Sequence, residues 1–177
     1  TQDFQTPEAR IALALAIGTV PAAIAGLALA DWIEANLRSP AEIVGTLSVY
    51  GVIMVVADRW GRKDRIVADV TLRDAVIIGC AQALALVPGT SRSGVTISAG
   101  RLLGFDRREA AKFSFLLSVP VILLATVYEM GSLIVSDEQV NWTQLCVGAL
   151  VAAIVAYVSI DFFMRFVRLL RGGAGTE

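Results

Sequence analysis

Polar breaks divide this sequence into long apolar runs. Residues 9–30 form a run of 22 positions with Arg10 as the only charge. At about 1.5 Å of rise per helical residue, that length crosses a hydrocarbon core of about 30 Å. Further runs cover 41–57, 113–128 and 145–164, and each is expected as a spanning helix. The 41–57 run, with 17 residues, is at the short end for a span. Pro21 and Pro120 fall inside runs, where neighbouring helices can satisfy the freed carbonyls. Ala22 with Gly26, and Gly148 with Ala152 and Ala156, are expected to permit close helix contact. Trp32, in the polar 31–40 connection, reads as an interface anchor. Arg165, Arg168 and Arg171 alternate with apolar residues, so 165–171 reads as an amphipathic tail at a membrane surface.

Residues 72–104 follow another pattern. The uninterrupted apolar core from Ala75 to Val87 has 13 residues, and the helix-like piece from Gly94 to Gly104 has 11. Both are too short to span comfortably, and a polar, glycine-containing loop joins them. This predicts a re-entrant helix-loop-helix hairpin over about 72–104, which is tolerable at membrane depth only against protein or a water-filled cavity. Gly94 with Ser98, and Gly100 with Gly104, would let it pack tightly. Basic residues give the orientation: four Lys/Arg lie in 58–71 and three after Met164, against one in 31–40 and none in 129–144. The first pair is therefore expected in the cytoplasm, with both termini, and the hairpin dips in from that side. The fold class is an all-α integral membrane protein, one membrane domain over 1–177, with four spans and one hairpin.

Composition agrees with this reading. Of the 177 residues, 56% are hydrophobic, above the 45–50% usual in soluble domains. A net charge of −1, without a basic tract interleaved with aromatics, leaves no basis for nucleic-acid binding. Cys80 and Cys146 lie in apolar runs without a CxxC partner or a histidine, which argues against metal or disulfide chemistry. Asp161 and Arg165 are spaced for an i,i+4 ion pair. Glu42 and Glu129 sit at span edges, where carboxylates are ordinary.

The candidate chemistry lies in Pro88-Gly89-Thr90-Ser91-Arg92-Ser93-Gly94. Gly89 and Gly94 allow the backbone to turn and approach a ligand. Thr90, Ser91 and Ser93 supply hydroxyls, which serve equally well as helix caps. Arg92 can grip two phosphate oxygens at once and neutralise charge on a transferring phosphoryl group. The helix-like run after the loop would aim N–H groups into it. A nucleophilic serine needs an adjacent base, and the chain contains no histidine. Gln82, six residues before Pro88, either bonds across the hairpin or contacts substrate. Arg101 is expected to snorkel to the surface or to pair with Asp106.

Gln82 to Leu124, reading QALALVPGTSRSGVTISAGRLLGFDRREAAKFSFLLSVPVILL, resembles the second signature region of the undecaprenyl-pyrophosphate phosphatase family of the bacitracin-resistance type. The likeness continues more loosely upstream to about Arg10. Family members also carry an earlier Glu-rich stretch and a Pro-Val-Ser-Ser-Thr-Gly-His type loop, which this sequence does not contain. It is similar to the second half and middle of a family member, without the first repeat and the last helix.

The resemblance implies a fold of two inverted repeats, each with a re-entrant hairpin whose tips meet in the membrane. It implies hydrolysis of undecaprenyl pyrophosphate to the monophosphate at the bacterial cytoplasmic membrane, recycling the carrier for cell-wall polymers. It also implies a divalent cation, Mg or Ca, with no ligands identifiable here. Arg92 is then the catalytic candidate, and Gly89, Thr90, Ser91, Arg92, Ser93 and Gly94 bind the pyrophosphate. The nucleophile, the base and the acidic residues belong to the first signature. Partners are the lipid pyrophosphate, membrane lipids, and either a second copy of the chain or a segment carrying the first repeat. The alternative is a non-enzymatic lipid-phosphate binder or transporter-like module on the same hairpin.

Overall fold

The computed structural model describes residues 6–61, 64–135 and 141–172. They form six helices: α1 Pro7–Asn36, α2 Pro40–Trp60, α3 Leu72–Ala83, α4 Arg92–Leu102, α5 Arg107–Val135 and α6 Trp142–Gly172. Single 3-10 turns occupy Val67–Asp69 and Leu84–Leu86. Among the described residues there is no strand, only an isolated bridge between Arg65 and Phe105. Helices α1, α2, α5 and α6 are long and apolar enough to cross a membrane.

The helices outrun the apolar runs because their caps lie outside them. Thr6 caps α1, with Pro7 in the first turn. Ser39 and Glu42 cap α2 reciprocally, as Thr71 and Asp74 cap α3. Residues 165–171 continue α6 without a break.

The chain forms two compact units, 1–129 and 130–177. In the second, Asp161 pairs with Arg165 at 2.8 Å and Phe162 stacks on Phe166. Gly148, Ala152 and Ala156 are exposed there rather than packed.

In the first unit, α1 packs on α3, α3 on α4, and α4 on α2. The core lies at one end, where Ala14, Val67, Ala75, Ile78, Phe105, Phe113 and Leu117 are fully enclosed. Small residues set the α1–α3 crossing, at positions other than the expected pair. A Cβ on Gly79 would sit 2.3 Å from the Gly18 carbonyl oxygen, whereas one on Gly26 would meet nothing within 4 Å. Backbone therefore touches backbone at Gly18 and Gly79, and Gly26 faces open space.

Helices α3 and α4, with 12 and 11 residues, reach only about 18 and 16 Å, short of a bilayer core. The start of α3 and the end of α4 lie together beside the end of α2. There Arg65 donates to Asp74 (2.6 Å), to the carbonyls of Leu103 (2.9 Å) and Asp69 (3.0 Å), and stacks on Phe105. Burial opposes ionisation of Asp74. The bond from Arg65 and those from the Thr71 N–H and hydroxyl outweigh it and hold the carboxyl below its ordinary value. The bond to Asp74 in turn raises Arg65.

Arg101 departs from expectation: it neither snorkels nor pairs with Asp106. It is 2% exposed and donates to the carbonyls of Phe105 (2.9 Å) and Asp58 (3.1 Å), with Nε 3.3 Å from the Asp58 carboxylate. Asp106 instead accepts from the Arg108 N–H at the start of α5.

Candidate functional site: the turn at the tip of the α3–α4 hairpin

The apolar ascent from α3 through Leu84–Leu86 stops at Pro88. The Thr90 N–H donates to the Val87 carbonyl at 3.1 Å, closing a turn with Gly89 at φ 88°. Only glycine adopts that conformation freely. Gly89 is also confined: a Cβ there would lie 2.4 Å from Thr46 Oγ1 and 2.7 Å from the Ile43 carbonyl oxygen. The Thr46 hydroxyl donates to the Pro88 carbonyl at 2.8 Å, fastening the tip to the first third of α2.

Ser91 then caps α4, accepting from the Gly94 N–H at 3.2 Å, with its hydroxyl 3.4 Å from that of Ser93. Arg92 is the first helical residue, where N–H groups have no partner within the helix. The Thr96 hydroxyl caps the Arg92 carbonyl and meets Ser114 of α5 at 2.6 Å, fixing the roll of α4. Among the described residues the Arg92 guanidinium makes no hydrogen bond or ion pair. It is half-buried and lines a cavity of about 580 Å³ between α1, the top of α3 and α5.

That cavity is almost wholly apolar, walled by Ala22, Ala23 and Leu27 of α1, by Ala85 and Leu86, and by Val121, Leu124 and Ala125 of α5. Its polar members are Thr19, Gln82, Arg92, Tyr128 and Glu129. Of the residues singled out from sequence, Gln82 and Arg92 converge on it. Gly89, Thr90, Ser91, Ser93 and Gly94 stand in the adjoining turn and do not line it. Gln82 is 2% exposed and its Nε2 has no partner; Thr90 Oγ1 is likewise buried and unpartnered. A polar atom left so typically costs about 1–3 kcal/mol. Tyr128 and Thr19 escaped notice because no motif marks them; Thr19's only signal is a hydroxyl within an apolar run.

An arginine without a partner among the described residues, a helix start and an apolar chamber thus meet at one place, an arrangement able to receive an anionic group joined to an apolar chain. The bacitracin resistance protein BacA family model matches residues 1–171. The chain belongs to the BacA family. Named relatives are undecaprenyl-diphosphatases. That of Saccharophagus degradans is 45% identical over 92% of this chain and 61% of its own length. Those of Thioalkalivibrio sulfidiphilus and a Nocardioides species are 44% and 42% identical, each over 90% of this chain and 60% and 58% of their own lengths. The chain thus spans about three fifths of the relatives it matches.

A divalent cation needs several oxygen donors together. Among the described residues no three His, Cys, Asp or Glu side chains come together as a candidate metal site.

Proposed function

We propose that this chain supplies the arginine-bearing half of an undecaprenyl-diphosphatase site in the bacterial cytoplasmic membrane. In this reading α3, the Leu84–Leu86 turn and α4 form a re-entrant hairpin, one of two in an inverted-repeat fold. It enters from the side of residues 58–71. Arg10 of α1 donates to the Val70 carbonyl at that same end, and the tip reaches the Thr46 level of α2. The cavity runs from Thr19 towards Ala30 on α1 and from Val121 towards Glu129 on α5, away from that end, so it opens towards the outer face.

The observation that carries the proposal is the unpartnered Arg92 guanidinium at the head of α4, lining an apolar cavity. A guanidinium that makes no ion pair within the described fold can neutralise charge that grows on the transferring phosphoryl oxygens. Hydroxyls and N–H groups of 89–94 add donors at the same turn, and the cavity takes the head-proximal part of the lipid. A divalent cation belongs to this reading as a family expectation, with ligands other than those described here. The nucleophile and base likewise come from another segment, one that carries a first repeat.

The test is phosphate release from a polyprenyl pyrophosphate by the purified chain, alone and co-expressed with the first repeat of a relative. Little turnover alone and metal-dependent turnover on co-expression are expected. Robust turnover by the chain alone would show that the catalytic groups are misassigned. A second reading, a lipid-phosphate binder without catalysis, is favoured by the complete lack of histidine. It would show as tight binding with no turnover in either arm.

A further inference from the structure

Gln82 carries one of four buried side-chain polar atoms without a hydrogen-bond partner among the described residues, beside Thr90, Ser98 and Arg101, and of the four it is the one that lines the cavity of Arg92. The cavity lining around it is mostly alanine, leucine, valine and glycine, yet Gln82 carries an amide whose Nε2 is enclosed and unpartnered. A leucine of similar length would fill the same space without leaving a donor unsatisfied. Gln82 shares its cavity with Arg92, whose guanidinium likewise makes no hydrogen bond among the described residues.

An amide nitrogen offers two hydrogens, and a phosphate oxygen accepts. The two donors differ in surroundings. Arg92 stands where the cavity meets the polar turn of 89–94, whereas Gln82 is set in the wall that continues as Ala85 and Leu86 and faces α1 and α5. From Thr19 to Ala30 that wall extends about 16 Å along α1. In a polyprenyl pyrophosphate, the phosphate bonded to carbon is held closer to the apolar wall than the outer phosphate, because the chain it carries lies along that wall. The outer phosphate needs no apolar wall.

We propose that Gln82 is a substrate-binding residue that donates to the lipid-linked phosphate, leaving Arg92 to the outer, transferred one. This rests on the phosphatase reading above and divides its two phosphates between two donors. The lipid-linked phosphate is present in substrate and product alike, so Gln82 serves binding in both and not the transition state alone. Its removal should raise KM and weaken product binding together, with little change in kcat.

The test measures binding by the purified 177-residue chain in detergent. The probes are farnesyl monophosphate, farnesyl pyrophosphate, farnesol and inorganic pyrophosphate. The unsubstituted chain should bind both farnesyl phosphates more tightly than farnesol. Gln82→Leu should weaken both by about the same factor, roughly tenfold, and leave farnesol and inorganic pyrophosphate unchanged. It should also raise the melting temperature of the unliganded chain, because a buried unpartnered donor is gone. Gln82→Glu, which keeps the volume but opposes a phosphate with an acceptor, should weaken both phosphates further.

If both variants leave the two affinities unchanged and Gln82→Leu lowers the melting temperature, the amide is structural and only this inference falls. A loss confined to the pyrophosphate would move Gln82 to the outer phosphate and overturn the division. If the unsubstituted chain binds farnesol as tightly as its phosphates, or binds neither phosphate, this inference and the phosphate-site reading fall together.

Discussion

Helix α4 carries an arginine at each end, and the two have opposite surroundings. Arg101 is enclosed and engages two backbone carbonyls and the Asp58 carboxylate. Arg92, nine positions earlier and on the same rigid rod, has no partner for its guanidinium among the described residues and lines a cavity. Residue type and helix are shared, so the partners decide the role. One arginine joins α2, α4 and the turn before α5 at the base of the hairpin. The other makes no such join among the described residues and is the one that the proposed function uses.

The sharpest way to break this contrast is to remove each guanidinium and read stability. Arg101→Leu leaves the carbonyls of Phe105 and Asp58 without their donor, while the Asp58 carboxylate keeps its pair with Arg107. The loss should therefore be that of buried acceptors deprived of a charged donor, about 2–3 kcal/mol. Arg92→Leu should stay within about 0.5 kcal/mol of the parent. Thermal melts in detergent check both, and equal losses would erase the distinction. The complementary readout is activity in a catalytically complete assembly. Arg92→Lys keeps the charge but not the planar grip, so kcat should fall on the order of 100-fold with the fold intact. Arg101→Lys should lose stability instead, and a kcat loss at that position without instability would contradict the roles assigned here.

Two glycines extend the comparison to packing. Gly79→Ala forces a methyl group against the Gly18 backbone and should cost about 1–3 kcal/mol. Gly26→Ala meets open space and should be neutral or slightly stabilising. The smallest expected effect is with pH. The Asp74 carboxyl is depressed in the folded chain, so its contribution is complete above the unfolded value of 3.8 and is lost as pH falls through the folded value. A melting series from neutral pH to about 3 should show that loss, and Asp74→Asn should remove the pH dependence along with the stabilisation.

The four long helices were legible because each is an apolar run of the length a bilayer demands. The turn at 88–94 was legible because proline, glycine and hydroxyl residues punctuate the chain there. Arg101 misled because spacing alone ties it to nearby Asp106, whereas its partner Asp58 lies on another helix, 43 positions away. Arg65 was read merely as one charge in a basic loop, although Thr71-x-x-Asp74 beside it already marked a reciprocal cap. The close contact between Gly18 and Gly79 could not be read from either helix, since it depends on which faces meet. The convergence of Gln82 with Arg92 was hidden for the same reason, and only the fold places both on one cavity.

The bond from Thr46 to Pro88, together with the Asp58–Arg101 contact, fastens α4 to α2 near both of its ends. Two rods joined at two points lean as one. A spanning helix answers a thinner or thicker bilayer by changing its inclination, and α2 shows lipid-compatible side chains along nearly all its length. The arginine at the head of α4 must therefore rise or sink with that inclination. Acyl-chain length in reconstituted bilayers is thus expected to tune how deep the charge sits, with α2 acting as the gauge that sets the working depth of Arg92.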